Sequence, residues 1–238
     1  MRSVALVACS TAIAGVALAC GTSSSKSGPT DAASDVVVDA APACEPDPLG
    51  TWMPPPYAHA ASPRPSACPS SFIVGYYSDC LGPNASDNAC NATWYTGADL
   101  AHATCVACLV TKSTSTQWGP IIDYGGGTLS MNVAGCIELL DPQRVTCATA
   151  VQQADECPHQ ACDVACPVNP NDQESFTKWQ SCQAYADQNE CSMLEQAGQC
   201  EQSEDAGPAA ACVRGMSFED LYNAIAPIFC GSASTDGG

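Results

Sequence analysis

The side chains best suited to chemistry are 18 cysteines and three histidines. Cys105-Val106-Ala107-Cys108 is a C-x-x-C, the pattern of dithiol redox catalysts. That chemistry needs its first cysteine at a helix N-terminus after a strand, where the dipole stabilises the thiolate. Here the motif falls inside an Ala/Leu/Cys run with no βαβ pattern before it, so redox exchange is set aside. His102-x-x-Cys105-x-x-Cys108 and Cys157-Pro158-His159-x-x-Cys162-x-x-x-Cys166 offer soft ligands at spacings that zinc accepts. In an oxidising compartment such thiols bridge before they meet a metal, so bridging is the preferred reading. A Cys/His metal-binding module stands as an alternative, and no metal ligand or cofactor is assigned.

No G-x-S-x-G, H-E-x-x-H, Walker loop or EF-hand pattern occurs. Gly125-Gly126-Gly127 lacks the G-x-G-x-x-G spacing and reads as a flexible turn. A glycosidase needs two carboxylates that meet only in the fold, and the spacing of the 25 Asp and Glu selects no pair. His59, His102 and His159 read as surface or partly buried polar residues. No catalytic residue is assigned, and a hydrolase whose site assembles only in the fold is the second alternative.

The elements that position these residues are constrained first by composition. The 238 residues hold 7 Lys+Arg against 25 Asp+Glu, a net charge of −18 that opposes phosphate and excludes a nucleic-acid partner. Charged residues are 13% of the chain, where about 25% is ordinary. Aromatics are only 6%, so large core side chains are scarce. So many thiols would be a redox liability in the cytosol.

Met1-Arg2 followed by an uncharged apolar run from Val4 to Cys20 has the shape of a secretory signal, residues 1–19. The run is short for a membrane-spanning helix, which needs about 20 apolar residues. Ala17-Leu18-Ala19 fits ordinary signal cleavage. The same stretch, ending at Cys20, resembles a bacterial lipobox, with Ala17 where Leu is usual. Cysteine parity favours the lipobox. If Cys9 leaves with the signal and Cys20 carries a lipid, 16 cysteines remain, an even number. Residues 20–43 then form a lipidated cysteine and a flexible Ser/Ala/Gly/Asp-rich tether spanning about 25–30 Å, too poor in apolar groups to fold.

The remaining cysteines are Cys44, Cys68, Cys80, Cys90, Cys105, Cys108, Cys136, Cys147, Cys157, Cys162, Cys166, Cys182, Cys191, Cys200, Cys212 and Cys230. An exported chain, an even count and a thin supply of core residues predict a disulfide framework over residues 44–231. Cys105/Cys108 and Cys162/Cys166 share helical faces and aim at neighbours rather than at each other. A stapled helical hairpin joining the Cys157–Cys166 segment to the Cys182–Cys200 segment is expected.

The fold is predicted to be mainly α, a disulfide-stapled helical domain behind a proline-rich irregular arm. Nine prolines in 42–69 exclude regular helix there. Helices are expected from a capping box at Thr96–Asp99 to about Val110, over Thr128–Leu140, and from Pro142 (capped by Asp141) to about Glu156. Further helices should run from Asn171-Asp172 to about Ala186, over 190–199, and from Ser217 through a face of Leu221, Ile225 and Phe229. Phe72–Tyr77 is the best strand candidate. Trp118 and Tyr124 should lie buried under the helices. Residues 232–238 are read as a disordered tail.

The signal ending in Ala-Cys-Gly, the Ser-rich tether, the Asp-Val-Val-Val-Asp-Ala-Ala-Pro linker at 35–42 and the cysteine-studded helical region resemble the cysteine-rich lipoproteins of myxobacteria-like soil bacteria. Trp118-Gly119-Pro120, Ala134-Gly135-Cys136-Ile137 and Ala226-Pro227-Ile228-Phe229-Cys230-Gly231 also look like that set. The resemblance implies an envelope protein, outer-membrane anchored or otherwise secreted, and carries no assigned activity. The expected function is a non-enzymatic binding or structural role. The expected partners are the membrane, through the lipid, and an envelope protein or glycan.

Overall fold

A computed structural model describes residues 44–231, apart from 55–56, 98 and 216, together with Ala5–Leu6 (β1). The rest of the predicted signal (1–19), the tether 20–43 with Cys20, and the predicted tail 232–238 lie outside the described residues.

The described chain is mainly α, and disulfides set its frame. The pairs are Cys44–Cys166, Cys68–Cys105, Cys80–Cys90, Cys108–Cys230, Cys136–Cys212, Cys147–Cys200, Cys157–Cys191 and Cys162–Cys182. Their Cα–Cα distances run from 4.7 to 6.0 Å, within the reach of a relaxed bridge.

The spine is α5, Val145–Cys162, which is about 27 Å long at 1.5 Å per residue. Its first half buries Cys147, Ala148 and Val151 in the main core. Its second half buries Cys157, Ala161 and Cys162 in a second core with Phe176 and Trp179 of α6 (Gln173–Gln188). Helix α7 (Ser192–Gly198) packs along it, and Gly198 lies so close that a Cβ there would meet the Ala154 methyl at 2.9 Å. Cys157–Cys191 and Cys162–Cys182 staple this hairpin as expected, while Cys166 turns away to Cys44 in the arm. The helix was expected to stop near Glu156. It instead runs through Pro158, because burial and two bridges beside the proline offset a cost of about 3 kcal/mol.

The main core gathers α1 (Ser70–Tyr76), α3 (Leu100–Leu109), α4 (Val133–Leu140) and α9 (Phe218–Cys230). Helix α8 (Ala210–Val213) packs on α4 and α9, and the short α2 (Asp87–Cys90) follows α1 in the chain. Helix α9 buries Phe218, Tyr222, Ile225, Ala226, Phe229 and Cys230, a single stripe at helical spacing that continues past Pro227.

The described residues of the proline-rich arm form no regular helix, and their hydrogen bonds follow the composition. Arg64, Ser66 and Cys68 donate N–H groups to the carbonyls of Phe229, Gly231 and Cys230, each at 2.8 Å. Pro65 lies between two of these donors and Pro63 and Pro69 flank them, at positions where no donor is needed. The arm thereby satisfies carbonyls that the end of α9 would leave unpaired. Cys68–Cys105 and Cys108–Cys230 then tie arm, α3 and α9 together.

Two expectations fail here. Phe72–Tyr77 is helical, not a strand. Ile73, Tyr76 and Cys80 fall on one buried face, and packing against α9 outweighs β-propensity. Thr128–Met131 is strand β6, not the start of a helix. It pairs antiparallel with β5 (Ile121–Gly125), while β3 (Val110–Lys112) lies parallel on the far side of β5 and β1 beside β6. The β5–β6 turn needs φ of 88°, 62° and 89° at Gly125, Gly126 and Gly127, which glycine supplies without strain. A further parallel pair joins β2 (Ala60–Ala61) to β4 (Gln117–Trp118). Helix α4 begins only at Asn132, whose buried side chain accepts from Gly135 N–H at 2.7 Å and donates to the Gly119 carbonyl at 3.0 Å.

Candidate functional site

A cleft of about 550 Å³ opens between the α1–α2 segment and the β5–β6 hairpin. One wall carries Tyr76, Leu81 and Asp87, with the Cys80–Cys90 bridge in its surface. The opposite wall carries Val110, Asp123, Leu129 and the three-glycine turn, with Pro170 at its edge. Tyr95 closes one side. The concavity is half open to solvent, and its lining is apolar with a few polar groups.

Its polar groups are ordered. The hydroxyls of Tyr76 and Tyr95 are hydrogen-bonded at 2.8 Å. Burial holds the Tyr76 phenol well above its ordinary range, and Tyr95, Tyr222 and the Asp123 carboxylate push the same way. Tyr76 is therefore a neutral hydrogen-bonding group. Asp123 Oδ1 accepts the Gly125 N–H at 2.8 Å, which fixes the carboxylate at the base of the turn. Asp87 stands in the first turn of α2, behind the Ser86 cap. Among the described residues that line the cleft there is no Lys, Arg or His.

A second constellation lies under the hairpin, at the α5–α6 junction. The His159 ring stacks on Tyr124 with centroids 3.4 Å apart and planes within 4°. Its Nδ1 lies 3.1 Å from Asp163, whose Oδ1 accepts Trp179 Nε1–H at 2.9 Å. Tyr124 donates to Asp155 at 3.0 Å, and Ser130 donates to the same carboxylate at 3.2 Å. Burial raises the Asp155 pKa, against the opposing pull of His159 and the two hydroxyls. Burial, then Asp155, pushes Glu156 up to about 7 and Asp187 up to about 6. Glu195 rises to about 7 through burial and the Asp187 and Asp155 charges. His159 thus sits beside two acidic residues, as a hydrolase would need, but only 7% of it is exposed and it does not line the cleft above. The cluster cements the hairpin to α5.

The other residues singled out in the sequence take structural places. His59 stacks on buried Trp118 at 4.0 Å, with Nε2 3.5 Å from Glu156. His102 packs between Phe72 and Trp94 and lies 3.6 Å from Asp99. Cys105 and Cys108 are not bridged to each other, and both Cys/His sets spend every sulfur in disulfides. The thiolates that zinc requires are therefore gone. Among the described residues, no three His, Cys, Asp or Glu are placed to hold a metal ion. Sequence reasoning missed the cleft, whose residues come from separate segments. It also missed the acidic flank of His159, although Asp155, His159 and Asp163 recur every four residues on one helix face.

Fold and cleft together define a disulfide-stapled, mainly α domain with a cleft between the α1–α2 segment and the β5–β6 hairpin. No family model matches the chain, and no curated protein or solved structure matches it significantly.

Proposed function

We propose that this chain is an exported, lipid-anchored envelope protein whose stapled domain binds a small ligand in the Tyr76–Asp123 cleft. The cleft itself carries this reading, because its walls are held rigid. The Cys80–Cys90 bridge fixes one side, and the antiparallel pairing of β5 with β6 fixes the other. A preformed site loses little entropy on binding. The disulfide framework supports export, and the lipobox-like Ala17-Leu18-Ala19-Cys20 supports an anchor that keeps the domain at a membrane surface.

The test is a thermal-shift screen of envelope-derived small molecules and glycans on residues 44–231 refolded with native bridges. Ala85 lines the cleft, and Ala85→Trp would fill it. At least one ligand class is expected to raise the Tm of the wild type and not of Ala85→Trp. If no class acts, or if the two proteins respond alike, the cleft is not the binding site.

A further inference from the structure

We infer that Cys80–Cys90 is a redox-operated latch: a dithiol entering the cleft reduces this bridge before the others, and the wall carrying α2 then opens. Its meaning for ligand capture rests on the binding reading above, but the chemistry does not. One observation concerns access. Both cysteines line the cleft, and Cys90 is half-buried where Cys80 is 6% exposed. Five other bridges, Cys68–Cys105, Cys108–Cys230, Cys136–Cys212, Cys157–Cys191 and Cys162–Cys182, bury both cysteines to 1% exposure or less. Among structural disulfides the accessible ones are the labile ones.

The second observation is what the bridge holds. Helix α2 is one turn long and buries none of its residues. It packs chiefly on the π-helical turns that flank it, Tyr77–Leu81 and Asn91–Tyr95. So short a helix has no stability of its own. Cys80 is anchored, because its turn also buries Leu81 and because Asp79 accepts the Nε1–H of buried Trp94 at 3.0 Å. Cys90 ends the unsupported helix, so the two thiols separate once the bond breaks. Cys44 and Cys200 are also half-buried, but packing keeps each beside its partner. Leu49 and Trp52 stay in the second core, and Asp47 N–H donates to the Ala161 carbonyl at 2.8 Å. The Gln199–Ala206 turn packs on α5, where Arg144 donates to Ser203 at 2.6 Å. Thiols held together at high effective concentration re-form their bridge.

In the reduction a thiolate of the dithiol attacks Cys90 Sγ, the S–S bond breaks, and Cys80 leaves as a thiolate that takes a proton from water. The second thiol of the reagent then displaces Cys90. Two electrons pass to the bridge, which ends as two thiols, and the dithiol ends as a disulfide. The test treats the native, fully bridged protein with graded dithiothreitol at pH 7, traps free thiols with N-ethylmaleimide and maps the peptides. Cys80 and Cys90 should be labelled at least about ten-fold faster than any other cysteine among the sixteen. Hydrogen exchange of the singly reduced protein should quicken over residues 82–90 and stay unchanged over α9. A different bridge labelled first, all bridges labelled together, or unchanged exchange over 82–90 overturns the inference. These readouts need no ligand, so an empty ligand screen leaves them standing. A different first-reduced bridge would overturn the latch and leave the cleft as a binding site.

Discussion

At the scale of single residues, the carboxylates around α5 give the protein an unusual pH dependence. Asp155, Glu156, Asp187 and Glu195 have pKa values raised in the fold, the last three to between about 6 and about 7. Unfolded carboxyls titrate near 4. The folded state therefore binds more protons than the unfolded one in this window. The sign follows: the contribution of these groups is fully present below about pH 4 and is lost as pH rises through about 7. Buried Glu156 Oε1 and Asp187 Oδ1 accept no hydrogen bond, although His59 Nε2 lies 3.5 Å from the former. Glu156→Gln and Asp187→Asn should each flatten the fall in Tm between pH 5 and pH 8 relative to wild type. Parallel melting profiles for wild type and both variants would show that the carboxyls ionise without cost.

At the scale of elements, the bridges divide by the length of chain they close. Cys108–Cys230 spans 122 residues and ties α3 to the end of α9, whereas Cys80–Cys90 spans 10. On chain entropy alone the long loop is worth about 5 kcal/mol and the short one about 3 kcal/mol. Replacing Cys108 and Cys230 together by Ala should lower the urea midpoint more than replacing Cys80 and Cys90. The short bridge lies in the cleft wall, so its loss should weaken ligand capture more than stability. Equal midpoints, or the reverse order, would place the stabilisation elsewhere than in loop closure.

The same scale shows what was legible in the sequence. Ser217 caps α9 as its box predicts, because a cap is a local contact between a side chain and an N–H two or three residues on; α3 and α6 are capped by Asp99 and Asp172, three and one residues beyond Thr96 and Asn171, the residues that open their predicted boxes. The β5–β6 hairpin was not legible as a sheet. Its strands are short, and Thr128–Met131 reads as helix until Asn132 is seen to cap α4 from a buried position. Phe72–Tyr77 misleads in the opposite sense, since its β-branched and aromatic residues serve a buried helical face. The cleft was illegible for a deeper reason. Tyr76, Asp87, Tyr95, Asp123 and Pro170 meet only through tertiary contacts, and no spacing between them is periodic.

At the scale of the whole molecule, the cysteine count becomes a wiring diagram. The arm is fastened at Cys44 and Cys68, the long helix at Cys147, Cys157 and Cys162, and the last helix at Cys230. A chain with few aromatics gains in this way a rigid cleft that its hydrophobic core alone would hold loosely. On the proposed reading, export and bridging, with Cys20 reserved for a lipid, produce this one framework. Peptide mapping of the native exported protein by mass spectrometry, without reduction, tests it most directly. The expected products are the linked peptides of Cys44–Cys166, Cys108–Cys230, Cys157–Cys191 and the other five pairs, with an N-terminal acylated Cys20. Free thiols among the sixteen, a Cys105–Cys108 bridge, or an unmodified Cys20 in the mature chain would contradict it.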